Sequence, residues 1–327
     1  MSLKNAGAVI IGRNEGERLR VCLLSVCSAF RHVVYVDSGS TDNSVSLAAE
    51  LGAAVVELDL TTPFTAARAR NAGFHALIGE HPELEYMQFI DGDCELNADW
   101  PQVAWVFLST NPRCAAVCGR RRERYPEASI YNRLCDIEWD TPVGEALACG
   151  GDVLMRVESL QQADGYRGDL IAGEEPELCF RLRKAGWKIW RLDAEMALHD
   201  AAMTRFSQWW QRAMRSGYAY ANGAWLHGRS AERYCVRECL RILFWGLLLP
   251  LLIVIIALFQ PLLALLLFCI YPIQYLRLAK MHSGNARWTW AASMLVGKFA
   301  ETLGMLRFLR DRLIGRRGRL IEYKANS

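Results

Sequence analysis

Short apolar runs alternate with stretches of helical periodicity through the first third of the chain. Ala8-Val9-Ile10-Ile11 reads as a first strand. Leu19, Cys22, Leu23, Val26 and Phe30 then recur at the spacing of one helix face. His32 to Val36, rich in valine, reads as a second strand ending in Asp37-Ser38-Gly39-Ser40-Thr41-Asp42. Val45, Ala48 and Leu51 mark a second helix that stops at Gly52, a fitting residue past a helix end. A third strand is expected over Ala54–Leu58, a third helix from about Thr65 to Ile78, and a fourth strand running through Tyr86 to Ile90. Strands alternating with helices predict an α/β fold with a mainly parallel sheet and right-handed crossovers. In such sheets ligands bind beyond the carboxyl ends of the strands.

The pattern changes after residue 202. Phe206, Trp209, Trp210, Ala213, Met214, Gly217, Tyr218 and Ala221 share one face of a helix, with Gln208, Gln211, Arg212 and Arg215 elsewhere. Such a helix suits a membrane interface, or packing against the catalytic domain. Ile242 to Leu276 carries no charged residue. As one helix it would be about 50 Å long, too long for a hydrocarbon core of roughly 30 Å. Gln260-Pro261 lies near its middle and basic residues flank both ends: Arg233, Arg237 and Arg241 before, Arg277 and Lys280 after. Positive flanks favour the cytoplasmic side, so a hairpin turning near Pro261, or a re-entrant pair, satisfies both. Leu295, Phe299, Thr302, Leu306, Leu309 and Leu313 predict a last amphipathic helix. Around and after it stand Arg307, Arg310, Arg312, Arg316, Arg317 and Arg319, suited to anionic lipid headgroups. The expected organisation is a catalytic domain over 1–202, interface helices over 203–241, a hairpin over 242–276 and a basic helix and tail over 277–327.

Charge and cysteine content narrow the class. The net charge is +3, but residues 277–327 carry eleven Lys and Arg against three Asp and Glu. No nucleic-acid module accompanies that basic end, so membrane lipids and not nucleic acid are the expected partners. The eleven cysteines include no Cys-x-x-Cys pair, which argues against zinc and against a disulfide framework and fits a reducing cytosolic setting. The apolar run Ala8–Ile11 is too short for a signal peptide's core, so the chain is expected to begin in the cytosol, with its catalytic domain on the cytoplasmic face of the cell membrane.

The polar clusters at the strand ends carry the candidate chemistry. Asp91-Gly92-Asp93 follows the fourth strand. Residues i and i+2 of an extended backbone project to one side, and paired carboxylates there suit Mg²⁺ or Mn²⁺ carrying a substrate phosphate. An acidic turn is the competing reading. Asp37, ending the second strand, can accept hydrogen bonds from a base or a ribose, or belong to the turn before a capped helix. Arg120-Arg121-Arg122-Glu123-Arg124 can face a lipid phosphate or form a solvated charge run. Neither a Gly-x-Gly-x-x-Gly nor a Gly-x-x-x-x-Gly-Lys-Ser/Thr motif occurs. Glu174-Glu175 opens a helix carrying Leu178, Leu182 and Ala185, where the dipole favours negative charge.

Four pieces in order make the set specific: Val-Ile-Ile-Gly-Arg-Asn-Glu, Val-Val-Tyr-Val-Asp-Ser-Gly-Ser-Thr-Asp, Ala-Arg-Asn-Ala-Gly at 69–73 and Phe-Ile-Asp-Gly-Asp. Together they resemble family 2 glycosyltransferases of the GT-A fold, over roughly residues 6 to 200. The resemblance implies a Rossmann-like GT-A domain, followed here by an α-helical membrane-associated region. It implies a nucleoside-diphosphate sugar donor, with Asp37 at the nucleobase and Asn14 and Glu15 near the nucleotide. Arg70 and Asn71 would shape the pocket, and Gly150 and Gly151 would lie beside the donor sugar. Asp91 would sit near ribose or metal, Asp93 would ligate the metal directly, and His199 would add a metal or phosphate contact or serve as a structural histidine. Arg68 has either a substrate role or a solvated one. The family's general base is the Asp of a Glu-Asp pair; here Glu175 stands in its place, one methylene longer, with Glu174 or Asp169 as alternatives. Gln208-Trp209-Trp210-Gln211-Arg212 is similar in composition to the Gln-x-x-Arg-Trp motif of polysaccharide synthases but differs in order, so processive synthesis is not inferred. The expected reaction is inverting, metal-dependent sugar transfer to a hydroxyl of a glycan or lipid-linked glycan. The enzymatic alternative is a polyprenyl phosphate acceptor; the non-catalytic one is a membrane scaffold with a nucleotide-binding domain.

Overall fold

A computed structural model of the protein describes residues 3–282, 284 and 286–315. The described chain divides into two compact units, one formed by residues up to Tyr125 together with Cys135–Ala201, the other by Pro126–Leu134 and the chain from Ala202 on. Residues 126–134, assigned to the catalytic domain from the sequence, thus group with the C-terminal helices.

The first unit begins β1 (Leu3–Gly12), α1 (Glu17–Ala29), β2 (Phe30–Asp37), α2 (Ser44–Glu50), β3 (Ala54–Glu57), α3 (Ala66–Glu80) and β4 (Tyr86–Asp91). It continues β5 (Cys94–Leu96), α4 (Trp100–Thr110), β6 (Cys114–Glu123), α5 (Ile130–Trp139, which begins in the other unit's segment), β7 (Gly144–Ala146), β8 (Val153–Arg156), α6 (Val157–Gln162), α7 (Glu174–Lys184) and β9 (Lys188–His199). The sheet order is β3-β2-β1-β4-β8-β6-β9-β5, with β7 on β9. The alternation of strand and helix accounts for the parallel pairs β1–β2, β2–β3 and β1–β4, and β6–β9 is parallel too. β8 runs antiparallel between β4 and β6, and β5 and β7 run antiparallel to β9. Ala8, Val9 and Ile10 of β1 are fully buried, as a central strand covered on both faces requires. Gly73 lets α3 lie close on that strand: a Cβ there would stand 2.5 Å from Val9 Cγ1. This proximity brings the neighbouring Arg70 and Asn71 to the strand ends.

The second unit holds α8 (Phe206–His227), α9 (Val236–Leu243), a π-helical turn over Phe244–Leu248, α10 (Leu249–Ala257), α11 (Pro261–Phe268), α12 (Ile270–Met281) and α13 (Arg287–Leu313). The π turn immediately precedes Pro250, whose missing N–H and bulky ring disturb the preceding helical ladder. Two continuous helical stretches, Val236–Ala257 and Pro261–Met281, are long and apolar enough to cross a membrane. They take in charged residues at both ends and so exceed the uncharged stretch 242–276 that defined the expected hairpin. α8 and α13 approach backbone to backbone: a Cβ at Gly217 would lie 2.0 Å from Glu301 O, and one at Gly304 2.0 Å from Met214 O. Small residues at the crossing let the two backbones approach closely. On α13, Phe299, Leu306, Leu309 and Leu313 are exposed, while Ala291, Gly297, Ala300, Thr302, Gly304, Met305 and Phe308 turn inward. Arg316, Arg317 and Arg319 lie outside the described residues.

Candidate active site

Strand register gathers the first part of the site. Gly12 pairs with Asp37, and Ile11 pairs with Asp91, so both aspartates end level beside β1. Because β2 and β4 lie on opposite sides of β1, this is the crevice where strand order switches. The Asp37 carboxylate accepts bonds from the Gly39 and Ser40 N–H groups and from the Tyr35 hydroxyl. Asn14, in a left-handed conformation, accepts from Thr41 N–H at 2.7 Å and donates its own N–H to Ser40 Oγ. Asn14 therefore braces the loop after β1 against the loop after β2. Glu15 pairs with Arg18 at 2.9 Å.

Arg70 is the hub of the site. Its guanidinium is buried and reaches Asp91 Oδ1 at 2.9 Å, Glu174 Oε1 at 3.0 Å and Glu175 Oε1 at 3.0 Å. One planar cation thus ties α3, the end of β4 and the first turn of α7 together. Gly151 makes room for it: a Cβ there would fall 2.2 Å from Arg70 Nη2 and 3.2 Å from Asp91 Oδ1. Gly151→Ala should therefore cost about 1–3 kcal/mol through overpacking and lower turnover about tenfold by shifting the acidic pair; thermal unfolding and initial rates check both. Asn71 sits on the same helix but clamps a loop, donating to Tyr166 O at 2.7 Å and accepting from Tyr166 N–H at 2.9 Å. Arg68 likewise donates to the carbonyls of Asp59, Thr62 and Pro63.

Glu174 and Glu175 open α7 behind Gly173, which takes the left-handed conformation. Burial, then the neighbouring Glu174 charge, raises the Glu175 carboxyl to about 7, against the opposing pull of Arg70. Such a carboxyl sits where a general base works best near neutral pH. Asp169 is instead engaged with Arg167 at an exposed position, both guanidinium arms on its two oxygens.

Gly92 and Asp93 form a turn, which breaks the extended backbone on which the i, i+2 argument rests. Asp91 belongs to the Arg70 clasp. Asp93 faces β9, where the pairing of Cys94 with His199 brings His199 Nε2 to 3.1 Å from Asp93 Oδ2. Asp93, Cys94 and His199 are all buried, and one ligand atom from each lies within 4.8 Å of the others. Burial, and after it the Arg121 charge, lowers the His199 imidazole to about 4. It is neutral at physiological pH. A carboxylate and an imidazole fit Mn²⁺ or Mg²⁺; the Cys94 thiol is raised well above its ordinary value by burial and stays protonated, donating to Asp152 Oδ2.

Three further residues complete the site. Asp152 is fully buried, accepts the Asp91 N–H at 3.0 Å and lies 3.4 Å from Arg121. Arg121 stands over the Trp139 ring, whose edge meets the His199 imidazole. Gly150 faces the same guanidinium, 3.6 Å from where its Cβ would be. The signal for Asp152 was present in the string Cys149-Gly150-Gly151-Asp152; nothing in the sequence marked Trp139.

Comparison with known proteins bears on the fold and the family likeness. Residues 8–152 match the model of glycosyl transferase family 2. A TPR repeat-containing protein of Synechococcus elongatus is 30% identical over 128 residues, 38% of this chain; the match spans 29% of that protein's length. Among solved structures, the mannosyltransferase PcManGT from Pyrobaculum calidifontis, in complex with GDP-Man and Mn²⁺, superposes with a TM-score of 0.65 at 19% identity, covering 92% of this chain and 87% of that one. Residues 1–349 of S. aureus TarS superpose with a TM-score of 0.52 at 13% identity, over 97% of this chain and 92% of that one. Over residues 8–152 the chain is thus similar to glycosyl transferase family 2, and its mixed α/β, mainly parallel sheet has the GT-A fold of these solved glycosyltransferases.

Proposed function

We propose that the protein transfers a hexose from a nucleoside-diphosphate sugar to a hydroxyl of a lipid-linked glycan, with inversion, at the cytoplasmic face of a membrane. The observation that carries this is the Arg70 clasp, which sets Glu175 beside Asp91 at the strand ends. Asn14, Glu15 and Asp37 take the nucleotide side of the crevice. Gly150 and Gly151 leave backbone room for the sugar. Asp93 and His199 hold Mg²⁺ or Mn²⁺, with Asp91 as a further oxygen ligand. When bound, the cation neutralises charge developing on the departing diphosphate. Glu175 accepts the proton of the acceptor hydroxyl as that oxygen attacks the anomeric carbon. Positioning of base, acceptor and donor on fixed elements supplies most of the remaining rate. The two long apolar helices and the outward leucines of α13 support insertion into lipid.

The test is a donor screen on the full chain in detergent, reading nucleoside-diphosphate release with a membrane lipid extract as acceptor. The donor of the mannosyltransferase neighbour, GDP-mannose, is the first to try, followed by UDP-sugars. Release from one donor, abolished by EDTA and restored by Mn²⁺ or Mg²⁺, is expected. No release from any donor with either cation would overturn the reading.

A further inference from the structure

Away from the strand ends, a second group of metal-ligating side chains meets on the first unit. His32 is the third residue of β2, in register with Gly7 of β1. His81 ends α3, its N–H donating to Leu77 O at 2.8 Å. Glu83 lies in the turn closed by Leu84 N–H on His81 O. The two imidazole centroids are 3.8 Å apart, and His81 Nδ1 is 3.6 Å from Glu83 Oε1. One ligand atom from each residue lies within 4.8 Å of the other two. Tetrahedral zinc with bonds of about 2.0–2.1 Å separates its donors by about 3.3 Å. Closing to that spacing falls to the side chains, because the backbone of His32 is fixed by the sheet and that of His81 by the helix end.

We propose that His32, His81 and Glu83 form a second cation site, for a transition-metal ion of zinc's class, with an open position for water. Two imidazoles and one carboxylate select zinc, copper or nickel over magnesium and manganese. The site is independent of the catalytic cluster: His32 lies five residues before Asp37 on the same strand, about 17 Å at 3.3 Å per residue. The half-buried imidazoles and exposed carboxylate leave the ion reachable from solvent. Burial, His81 and Arg31 lower the His32 pKa, while Glu83 opposes. Arg31 is the adjacent cation, and Glu83 supplies the compensating charge. A bound ion would pin the start of β2 to the end of α3.

The experiment titrates the full chain in detergent with Zn²⁺ by calorimetry, comparing wild type with His32→Ala/His81→Ala and with Glu83→Gln. The reading concerns this site alone and does not depend on the identity of donor or acceptor. One equivalent of zinc bound by wild type should be lost in the double variant, and Glu83→Gln should weaken that event several-fold. At saturating zinc the wild type should also gain about 5 °C in Tm over the double variant's own gain. Should the double variant fail to fold, Glu83→Gln, an exposed change, decides. Zinc stoichiometry and affinity unchanged by these substitutions would overturn the proposal.

Discussion

Glu175→Gln is expected to lower kcat by about 10²–10⁴-fold, the usual contribution of a positioned general base. The substitution keeps the side chain's size and removes only its ability to take a proton. The pH profile separates this from a structural effect. With the Glu175 carboxyl raised to about 7 by burial and Glu174, the wild type should lose activity as pH falls through 7, about tenfold per unit below it. Glu175→Gln should lose that acidic limb. A near-normal rate in the variant would instead favour an acceptor that is already an anion, a polyprenyl phosphate, which needs no base. Stability should move the other way. The folded state keeps a proton on Glu175 that the unfolded chain, near the ordinary 4.5, gives up, so stability from this group falls as pH rises from about 4.5 to 7. Glu175→Gln removes that penalty, and its Tm at pH 8 should equal or exceed that of the wild type. A drop in both Tm and rate would mark Glu175 as structural.

How much of this was legible beforehand follows from what each feature depends on. Val9, Ile10, Val34 and Val36 announced buried parallel strands because those strands are apolar on both faces. Asp37 and Asp91 were found because a polar cluster after an apolar run marks a strand end. Arg70 and Asn71 were reached only through the family resemblance; no local rule says that a helical arginine will gather three carboxylates. Asp152, Cys94 and Trp139 come to the site through antiparallel pairings of β8 with β4 and of β5 with β9, and through the end of α5. Such pairings join segments far apart in the chain and leave no periodic trace. The Gly92 turn defeated the extended-backbone argument for Asp91 and Asp93, though it placed both near the site. In α13 the leucine pattern identified the helix and its exposed face; the inner face, lined by Gly297, Ala300 and Gly304, left no such mark. Gly217 and Gly304 set that face by allowing the backbones to touch.

Arg70→Met should destabilise the first unit by about 3–5 kcal/mol, the cost of removing one member of a buried ion cluster. Methionine fills much the same volume, so the loss is electrostatic. Glu174 is buried, Glu175 nearly so, and both would face Asp91 with no cation between them. For a unit of this size that is a fall of about 10 °C in Tm. The sign of its pH dependence is fixed by the carboxylates left behind. Arg70 pulls the Glu175 pKa down, so its loss leaves that carboxyl higher still, and stability is retained where it can protonate and lost as pH rises through that value. The deficit should be larger at pH 8 than at pH 5. Arg70→Lys keeps the charge but not the planar fork, and a single ammonium cannot meet three oxygens on different elements; part of the stability should return and little of the activity. The decisive variant is Arg70→Met/Glu174→Gln/Glu175→Gln. Removing the orphaned charges together with the arginine should restore most of the lost Tm while leaving the protein inactive, because the clasp's stability is a matter of charge balance and the proposed function requires Glu175 as a base. If the triple variant melts as low as Arg70→Met alone, the clasp is held by packing, and Arg70 does not position the acidic pair through charge.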